Sequence, residues 1–315
     1  MRKTTNLKNV RPGITGFKPR PLPSQRSTYS EIPRIFAILL AHVPLALLMN
    51  AYPIISTLHA LVTFIFGLLW LADSKPARLI YLTAYISGVE ILWRATEAGV
   101  FYEFGKYSIS LLLILAIFKY GLIGKASKAP MLVFLLLLPS LLVLPYFDRQ
   151  DIAFNLNGPL VLAVSSMFFS AVKIDIGQLK KILIAMVAPI FGMTFLATFF
   201  TLSVESLDFT GVSIKATSAF TGPNQVATIL GLGAVCAFYY ALLEKRDTQA
   251  RLVMILLSLW MIAQTMLTFS RCGLWAAIAA SLVGIYFLWR QDRSKAPLLL
   301  IITFPLVVVL WYCRS

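Results

Sequence analysis

Long apolar stretches, separated by short polar connections, run through the chain from about residue 35 onwards. Stretches such as Leu111–Phe118 and Met131–Leu138 are continuously apolar, whereas the strands of a membrane barrel alternate apolar and polar residues. A helix needs about 20 mostly apolar residues to cross a bilayer, because lipid offers no partner for free backbone N–H and C=O groups. The pattern therefore predicts an all-α, polytopic bundle of transmembrane helices.

Eleven stretches have the length and hydropathy expected of a membrane span. We predict them at residues 35–51, 54–72, 79–95, 106–123, 130–146, 155–172, 182–203, 223–243, 252–269, 273–289 and 296–312. The chain then consists of a tail, residues 1–34, and a membrane domain, residues 35–315. The tail is rich in basic residues and prolines, and it has no acidic residue before Glu31. Such a start also resembles an organelle transit peptide, but the prolines break the amphipathic helix of such a peptide, so a disordered tail is favoured.

Composition and charge add an orientation to this picture. Hydrophobic residues make up 59% of the chain and charged residues 13%, about half the charged fraction of soluble domains. Of the 28 Lys and Arg residues, eight lie in the tail and fourteen in alternate connections: Lys75, Arg78, Lys119, Lys125, Lys128, Lys173, Lys180, Lys181, Lys245, Arg246, Arg251, Arg290, Arg293 and Lys295. Cytoplasmic connections carry the basic excess in membrane proteins, so the N-terminus is predicted to be cytoplasmic. The net charge of +15 thus indicates orientation and not nucleic-acid binding.

Motifs of soluble enzymes are missing from the sequence, which has no phosphate-binding glycine loop, nucleophile elbow or paired-histidine zinc site. Cys236, Cys272 and Cys313 form neither a metal-binding spacing nor a disulfide framework. We therefore expect no metal and no cofactor. A charge at mid-membrane costs roughly 2.5–3.5 kcal/mol and needs a partner or a watery cavity, so polar residues at membrane depth are the informative ones.

The first polar cluster joins the end of the third predicted span to the start of the fourth. Glu90 and Arg94 are four residues apart, so they share a helix face and can pair. Glu103 and Lys106 follow on the same side of the membrane, and four aromatic residues lie within 101–107. One interpretation is an interfacial aromatic belt with mutually neutralising ion pairs. The other is a site that binds a polar, anionic substrate at the outer membrane surface.

The second cluster, Lys215 to Gln225, opens the eighth predicted span. The pair Gly222-Pro223 predicts a turn into a helix, because Pro is tolerated in the first helical turn, where no N–H is needed. The free N–H groups of that helix start, next to Lys215, make a candidate phosphate site that includes Asn224 and Gln225. The alternative is an ordinary loop-to-helix entry in which the two amides hydrogen-bond to neighbours.

The third cluster, Thr268–Trp275, is predicted to be an outer hairpin between two spans. Arg271 is its one charge, and the guanidinium fork is well suited to hold phosphate oxygens, with Ser270 beside it as a further ligand. Alternatively, Arg271 extends to the interface without any function. His42 and His59, in the first two spans, are either proton-transfer groups or hydrogen-bonded packing residues.

The order of the second and third clusters resembles the bacterial O-antigen ligase and Wzy-type polymerase family. Here Ser218–Ala227 is followed by one helix, a short basic connection, another helix and Leu267–Gly273. The family pattern places a Gly/Pro-Asn turn before one span and a Ser-Arg-Gly-like turn two spans later. The stretch Glu90–Tyr107 is similar to one branch of the family, and the informative resemblance covers about residues 78–107 and 212–284.

This resemblance implies a glycosyltransferase that needs no metal and acts at the outer face of the bacterial inner membrane. The donor would be a glycan on a polyprenyl diphosphate, and the acceptor a lipid A–core sugar for a ligase or another lipid-linked repeat unit for a polymerase. Cations would stabilise the diphosphate leaving group, with Arg94, Lys215 and Arg271 as the outer-side candidates. The partners implied are thus the lipid-linked donor, the sugar acceptor and membrane lipids.

A carboxylate would receive or orient the proton of the acceptor hydroxyl. Glu90, Glu97 and Glu103 all remain open for that role. The candidate catalytic residues are Glu90, Arg94, Glu103 and Arg271, and the candidate substrate-binding residues are Lys106, Lys215, Asn224, Gln225 and Ser270.

One departure from the family concerns the end of the chain. Family members usually continue with a long external loop that carries Arg and His residues, and this chain ends at Ser315, where that loop is expected. We therefore expect a C-terminally truncated member that lacks part of its active site. A flippase for lipid-linked glycans and a non-catalytic subunit of polysaccharide assembly are the alternatives. A transporter lines a path with polar groups from both faces, whereas the charges here concentrate in the outer half.

Overall fold

The computed structural model describes residues 32–73, 76–143, 149–203 and 215–291, which form helices joined by short connections. The helices are α1 Ile32–Ala51, α2 Pro53–Ala72, α3 Pro76–Ala95, α4 Phe104–Lys119, α5 Ala129–Leu135, α6 Arg149–Ala171, α7 Ile176–Ser203, α8 Pro223–Leu243, α9 Thr248–Leu267 and α10 Arg271–Gln291. Short 3-10 segments lie at Leu138–Val143 and Ala216–Ser218. No β-strand occurs within these ranges, so the predicted all-α class is confirmed for them.

Five of the described helices combine the length and the hydropathy needed to cross a membrane, namely α1, α2, α7, α8 and α9. Helix α4 has 16 residues, and charged side chains such as Glu90 and Arg94 lower the hydropathy of α3. The structure therefore supports a membrane protein with five such helices, fewer than the eleven spans predicted. The predicted span at 296–312 and nearly all of the predicted tail lie outside the described residues.

The predicted span at 130–146 is not a continuous helix. Helix α5 ends at Leu135 after seven residues, and a 3-10 segment follows from Leu138. Proline explains the break, because Pro139 has no N–H to donate and its ring clashes with the carbonyl four residues earlier, at Leu135. Hydropathy alone therefore overstated the helical length of this stretch.

Helix α7 is the longest described helix, with 28 residues, and it packs against α1, α3 and α8. Its contact with α3 is close at Gly88, where an added Cβ would come within 2.5 Å of the Met186 oxygen. Small residues let membrane helices approach closely, which favours packing where lipid removes the hydrophobic driving force between helices. This contact fixes the part of α3 that precedes Glu90 and Arg94.

Helices α8 and α10 make a second close contact near their first turns. Gly273 lies directly against the Ala227 carbonyl, where a Cβ has no room, and Gly231 lies against the backbone of Gly273. The glycine in the Ser-Arg-Cys-Gly turn therefore has a packing explanation. This contact also brings the start of α10 next to the start of α8.

An ion pair joins α7 to the end of α8 at one end of the bundle. The Glu244 carboxylate accepts hydrogen bonds from Lys180 Nζ, at 2.5 Å, and from the backbone amides of Arg246 and Asp247. Burial on its own raises the pKa of the Glu244 carboxyl, but these hydrogen bonds and the Lys180 charge outweigh it, so the pKa lies below its ordinary value. The carboxylate is thus charged and saturated with donors.

Candidate functional site

A cavity of about 470 Å³ opens at the other end of the bundle. Its walls come from the end of α3, the connection to α4, the first turn of α4 and the turn before α8. The polar lining residues are Glu90, Arg94, Glu97, Tyr102, Thr221 and Gln225, and the aromatic ones include Trp93, Phe101, Phe104 and Phe220. Two regions singled out in the sequence, about 130 residues apart, therefore meet at one site.

Arg94 is the basic residue of this lining. Its side chain is 11% exposed and forms an ion pair with Glu90, one helical turn earlier. Arg94 Nη1 also donates to Gln225 Oε1 at 3.3 Å, and the guanidinium lies 4.0 Å from the centre of the Tyr102 ring. Gln225 in turn donates to the Tyr102 hydroxyl. Arg94 thereby connects α3, the α3–α4 connection and α8 around the cavity.

A second ion pair lies behind this wall. Lys106 Nζ is 2.7 Å from Glu103 Oε2, and the same carboxylate oxygen is 3.9 Å from Arg94 Nη2. Two acids and two bases therefore balance one another, and the Glu90–Arg94 pair among them is the one that the spacing in the sequence predicted. Glu103 and Lys106 are not part of the cavity lining, so they act on the cavity through Arg94.

Asn157 of α6 is a buried member of this cluster that sequence reasoning missed. Its side-chain amide donates to Glu103 Oε2 at 3.2 Å. A polar amide in a long apolar helix is a signal that could have singled it out, but nothing in the sequence links it to Glu103. Arg94 Nε, Glu103 Oε1 and Asn157 Oδ1 are buried without a hydrogen-bond partner among the described residues.

The turn before α8 holds a strained backbone at the cavity wall. Ala219 and Phe220 have φ values of 51° and 58°, in the left-handed region that costs a non-glycine residue of order 1–3 kcal/mol. The Ser218 hydroxyl, 2.9 Å from the carbonyls of Lys215 and Thr221, holds the turn closed. The surrounding structure therefore imposes this conformation.

Gln264, in the last turn of α9, ties this turn to the bundle. Its side-chain amide donates to the Thr217 carbonyl and to Thr201 Oγ1, both at 2.9 Å. Thr198 of α7 donates to the Gln264 side-chain oxygen at 3.2 Å. The side chain is 2% exposed, so a buried polar network fixes the α8 wall of the cavity.

Helix α8 begins at Pro223, as predicted, so the proline lies in the first turn, and Gly222 is the N-cap. No side chain caps this helix start. Asn224 Oδ1 accepts a hydrogen bond from Ser270 Oγ at 2.9 Å, so the second and third clusters do meet at the helix start. Asn224 and Ser270 bond to each other and lie outside the lining, whereas Gln225 is inside it.

Lys215 and Arg271 are not brought into the cavity, so the predicted convergence of three cations is not observed. Both side chains are exposed, and neither has an ion pair within the described ranges. Arg271 is two residues, about 200° of helical turn, from Gly273, which faces α8, so it lies on the opposite side of α10. Lys215 precedes the turn and contributes its carbonyl to it.

Glu97 lines the cavity with a left-handed backbone, at a φ of 53°. It is exposed and has no ion pair among the described residues, unlike Glu90 and Glu103. The three carboxylates that the sequence left open are thus distinguished by their surroundings. In the part of the chain that the structure describes, no group of three or more His, Cys, Asp and Glu side chains is arranged to hold a metal ion.

Comparisons with known proteins place this chain in no family. No protein-family model, no curated protein and no solved structure matches it. A function must therefore be inferred from the chemistry of the cavity and from the membrane character of the helices.

Proposed function

We propose that this chain is a membrane glycosyltransferase of the O-antigen ligase or polymerase type. It would transfer a glycan from a polyprenyl diphosphate carrier to a sugar acceptor during assembly of a surface polysaccharide. The observation that carries this proposal is the guanidinium of Arg94 at the wall of a cavity of about 470 Å³, at one end of a bundle of apolar helices. A lipid-borne diphosphate combines an apolar tail that enters the membrane with an anion that such a cation binds.

Arg94 retains donors for this anion. Nη2 bonds to Glu90 and Nη1 to Gln225, and each of these two nitrogens carries a second N–H group. A phosphate oxygen can therefore be bound at Arg94 without the loss of either bond. The first turn of α8, where Gln225 lies, adds the positive end of the helix dipole. These groups stabilise the negative charge that grows on the leaving diphosphate.

Glu97 is the carboxylate that fits the role of proton acceptor. It faces the cavity without a cationic partner among the described residues, whereas Glu90 is paired with Arg94 and Glu103 with Lys106. A base must be free to take the proton of the acceptor hydroxyl as the glycosidic bond to the diphosphate breaks. In this proposal Glu90, Glu103 and Lys106 hold Arg94 in place and do not contact the substrate.

The proposal includes a topology: eleven crossings of a bacterial inner membrane, of which that at 130–146 is interrupted at Pro139, with a cytoplasmic N-terminus and the cavity on the outer face. Two observations support the orientation. Thr57, at the start of α2, accepts a hydrogen bond from the Gly99 amide beside the cavity, so α1 begins at the opposite end. Basic residues such as Lys180 and Arg246 lie at that opposite end. A single cysteine at Phe101 should react with a membrane-impermeant reagent in whole cells, and one at Lys181 should not.

A deletion strain tests the function. Loss of glycan attachment with long chains left on the carrier lipid would identify a ligase, and single repeat units left on the carrier would identify a polymerase. Loss of outward-facing lipid-linked glycan would instead identify a flippase and contradict the proposal. The position of the cavity at one end of the bundle favours chemistry at the surface over passage through the membrane.

A further inference from the structure

Four side chains from α1, α2 and α3 form a continuous chain of hydrogen bonds that ends at the cavity wall. Trp93 Nε1 is 3.0 Å from His59 Nδ1, and His59 Nε2 is 3.1 Å from the Tyr85 hydroxyl. The same hydroxyl is 3.2 Å from His42 Nε2, and His42 Nδ1 is 2.7 Å from the Ile38 carbonyl. The two histidines thus lie in one network.

The two groups at the ends of this hydrogen-bond network determine where its protons lie. The indole of Trp93 can only donate, so His59 Nδ1 is an acceptor without a proton, and His59 Nε2 carries the proton and donates it to Tyr85. At the other end a carbonyl can only accept, so His42 Nδ1 carries a proton. Tyr85 then donates its own proton to His42 Nε2. Every donor in the chain has one acceptor, and His59 is neutral.

His59 holds a residue of the cavity wall. Trp93 is 2% exposed in the protein, lines the cavity and directly precedes Arg94 on α3. Its ring also makes an edge contact with Phe104, with ring centres 6.0 Å apart, and Phe104 lines the cavity as well. The hydrogen bond that Trp93 donates to His59 is therefore the polar contact that fixes the direction of the indole ring.

We propose that His59 is a positioning residue, which acts through its Nδ1 acceptor on Trp93 and thereby shapes the diphosphate-binding wall around Arg94. Tyr85 and His42 serve the same end, because they select the tautomer in which His59 Nδ1 is free to accept. A proton added to His59 Nδ1 would face the indole N–H, donor against donor, and would release Trp93. This inference rests on the proposed function for the identity of the ligand, but not for the hydrogen bond itself.

Two substitutions distinguish a His59 that positions Trp93 from a His59 that only links α2 to α3 through Tyr85. In His59→Asn the side-chain oxygen takes the place of Nδ1, so the acceptor for Trp93 remains and the donor to Tyr85 is lost. In His59→Gln the amide takes the place of Nε2, so the link to Tyr85 remains and the acceptor for Trp93 is lost. If His59 positions Trp93, His59→Asn should preserve the site and His59→Gln should damage it. If His59 only links the two helices, His59→Gln should preserve the site and His59→Asn should damage it.

The experiment uses the full chain in nanodiscs with ¹⁵N-labelled tryptophan, and the indole signal of Trp93 is assigned by its loss in Trp93→Phe. We expect this signal to keep its hydrogen-bonded position in His59→Asn and to move upfield in His59→Gln. A shift in His59→Asn, or no shift in His59→Gln, would overturn the proposal. Each variant is informative without the other, so a failure of one to fold does not remove the test.

The second measurement is the affinity for farnesyl diphosphate. We expect it to weaken roughly tenfold in His59→Gln, because a misplaced wall disturbs the bound geometry, and to stay near the wild-type value in His59→Asn. A weaker affinity in the Asn variant alone would overturn the positioning role. Wild-type protein that binds no diphosphate would contradict the proposed function instead, and the indole signal would still decide the role of His59.

Discussion

The two ends of the bundle both hold a buried ion pair, but they differ in how completely its polar atoms are satisfied. At one end Glu244 accepts from Lys180 and from two backbone amides. At the other, Arg94 Nε and Glu103 Oε1 are buried without partners among the described residues, beside a cavity. A buried polar atom without a partner costs about 1–3 kcal/mol, a cost that the Glu244 end avoids. The Glu244 end therefore holds helices together, and the unsatisfied atoms beside the cavity fit the proposal of a binding site there.

The strongest test of this difference between the two ends is Arg94→Lys, which keeps the positive charge and removes the planar guanidinium group. We expect the initial rate of glycan transfer by purified protein to fall about 100-fold or more, as when a donor to a developing anion is lost. Lys180→Arg, at the saturated end, is the matched control and should leave the rate unchanged. A rate for Arg94→Lys equal to that of the control would contradict the role proposed for Arg94.

The next largest effect is expected on stability, at the opposite end. Lys180→Met leaves the buried Glu244 carboxylate without its cation and should lower the free energy of unfolding by about 3 kcal/mol. The rate per folded molecule should not change. Lys181→Met, at the exposed neighbouring position, is the control. Thermal unfolding in nanodiscs measures the difference, and equal stabilities for the two variants would show that the pair does not hold α7 to α8.

The same ion pair predicts a dependence of stability on pH. Since the pKa of Glu244 is lowered in the folded protein, its contribution is fully present above the ordinary pKa of a glutamate and is lost as the pH falls through the folded pKa. The Tm difference between wild type and Glu244→Gln should therefore be constant near neutral pH and disappear in acid. A difference that persisted below the folded pKa would mean that packing, and not charge, accounts for the effect.

The smallest effect is expected from Arg271→Ala. The resemblance to ligases and polymerases predicts that this change abolishes transfer, whereas the position of Arg271 outside the cavity predicts a change of about twofold at most. Glycan ladders from cells that carry the variant decide between them. A complete loss with normal insertion would show that Arg271 reaches the substrate and that the cavity at Arg94 is only part of the site.

Hydropathy predicted the helices well, because a segment in lipid must satisfy its own backbone. Helix α8 has the predicted bounds, 223–243, and α2 begins one residue before its predicted start. The prediction failed at 130–146, where Pro139 interrupts an apolar run that has the right length. The missing N–H and the ring of a single proline outweighed the average hydropathy of the segment.

Ion pairs could be predicted where the two partners are close in sequence. The pairs Glu90–Arg94 and Glu103–Lys106 lie four and three residues apart, and both form. The contact of Arg94 with Gln225 depends on how α3 and α8 pack, which spacing does not encode. The outward direction of Arg271 follows from Gly273 two residues later, but only once Gly273 is known to face α8.

The pairing of Glu90 with Arg94 inside one helix has a consequence for biosynthesis. The ribosome completes α3 more than a hundred residues before α8, so Gln225 does not yet exist when α3 reaches the bilayer. In the proposed topology α3 is a membrane span, and because its two charges neutralise each other within one segment, it can partition into lipid without either ion being left unpaired there. The end of α3 that carries Glu90 and Arg94 can thus remain there, with its two charges neutralised, until the later half of the chain is translated.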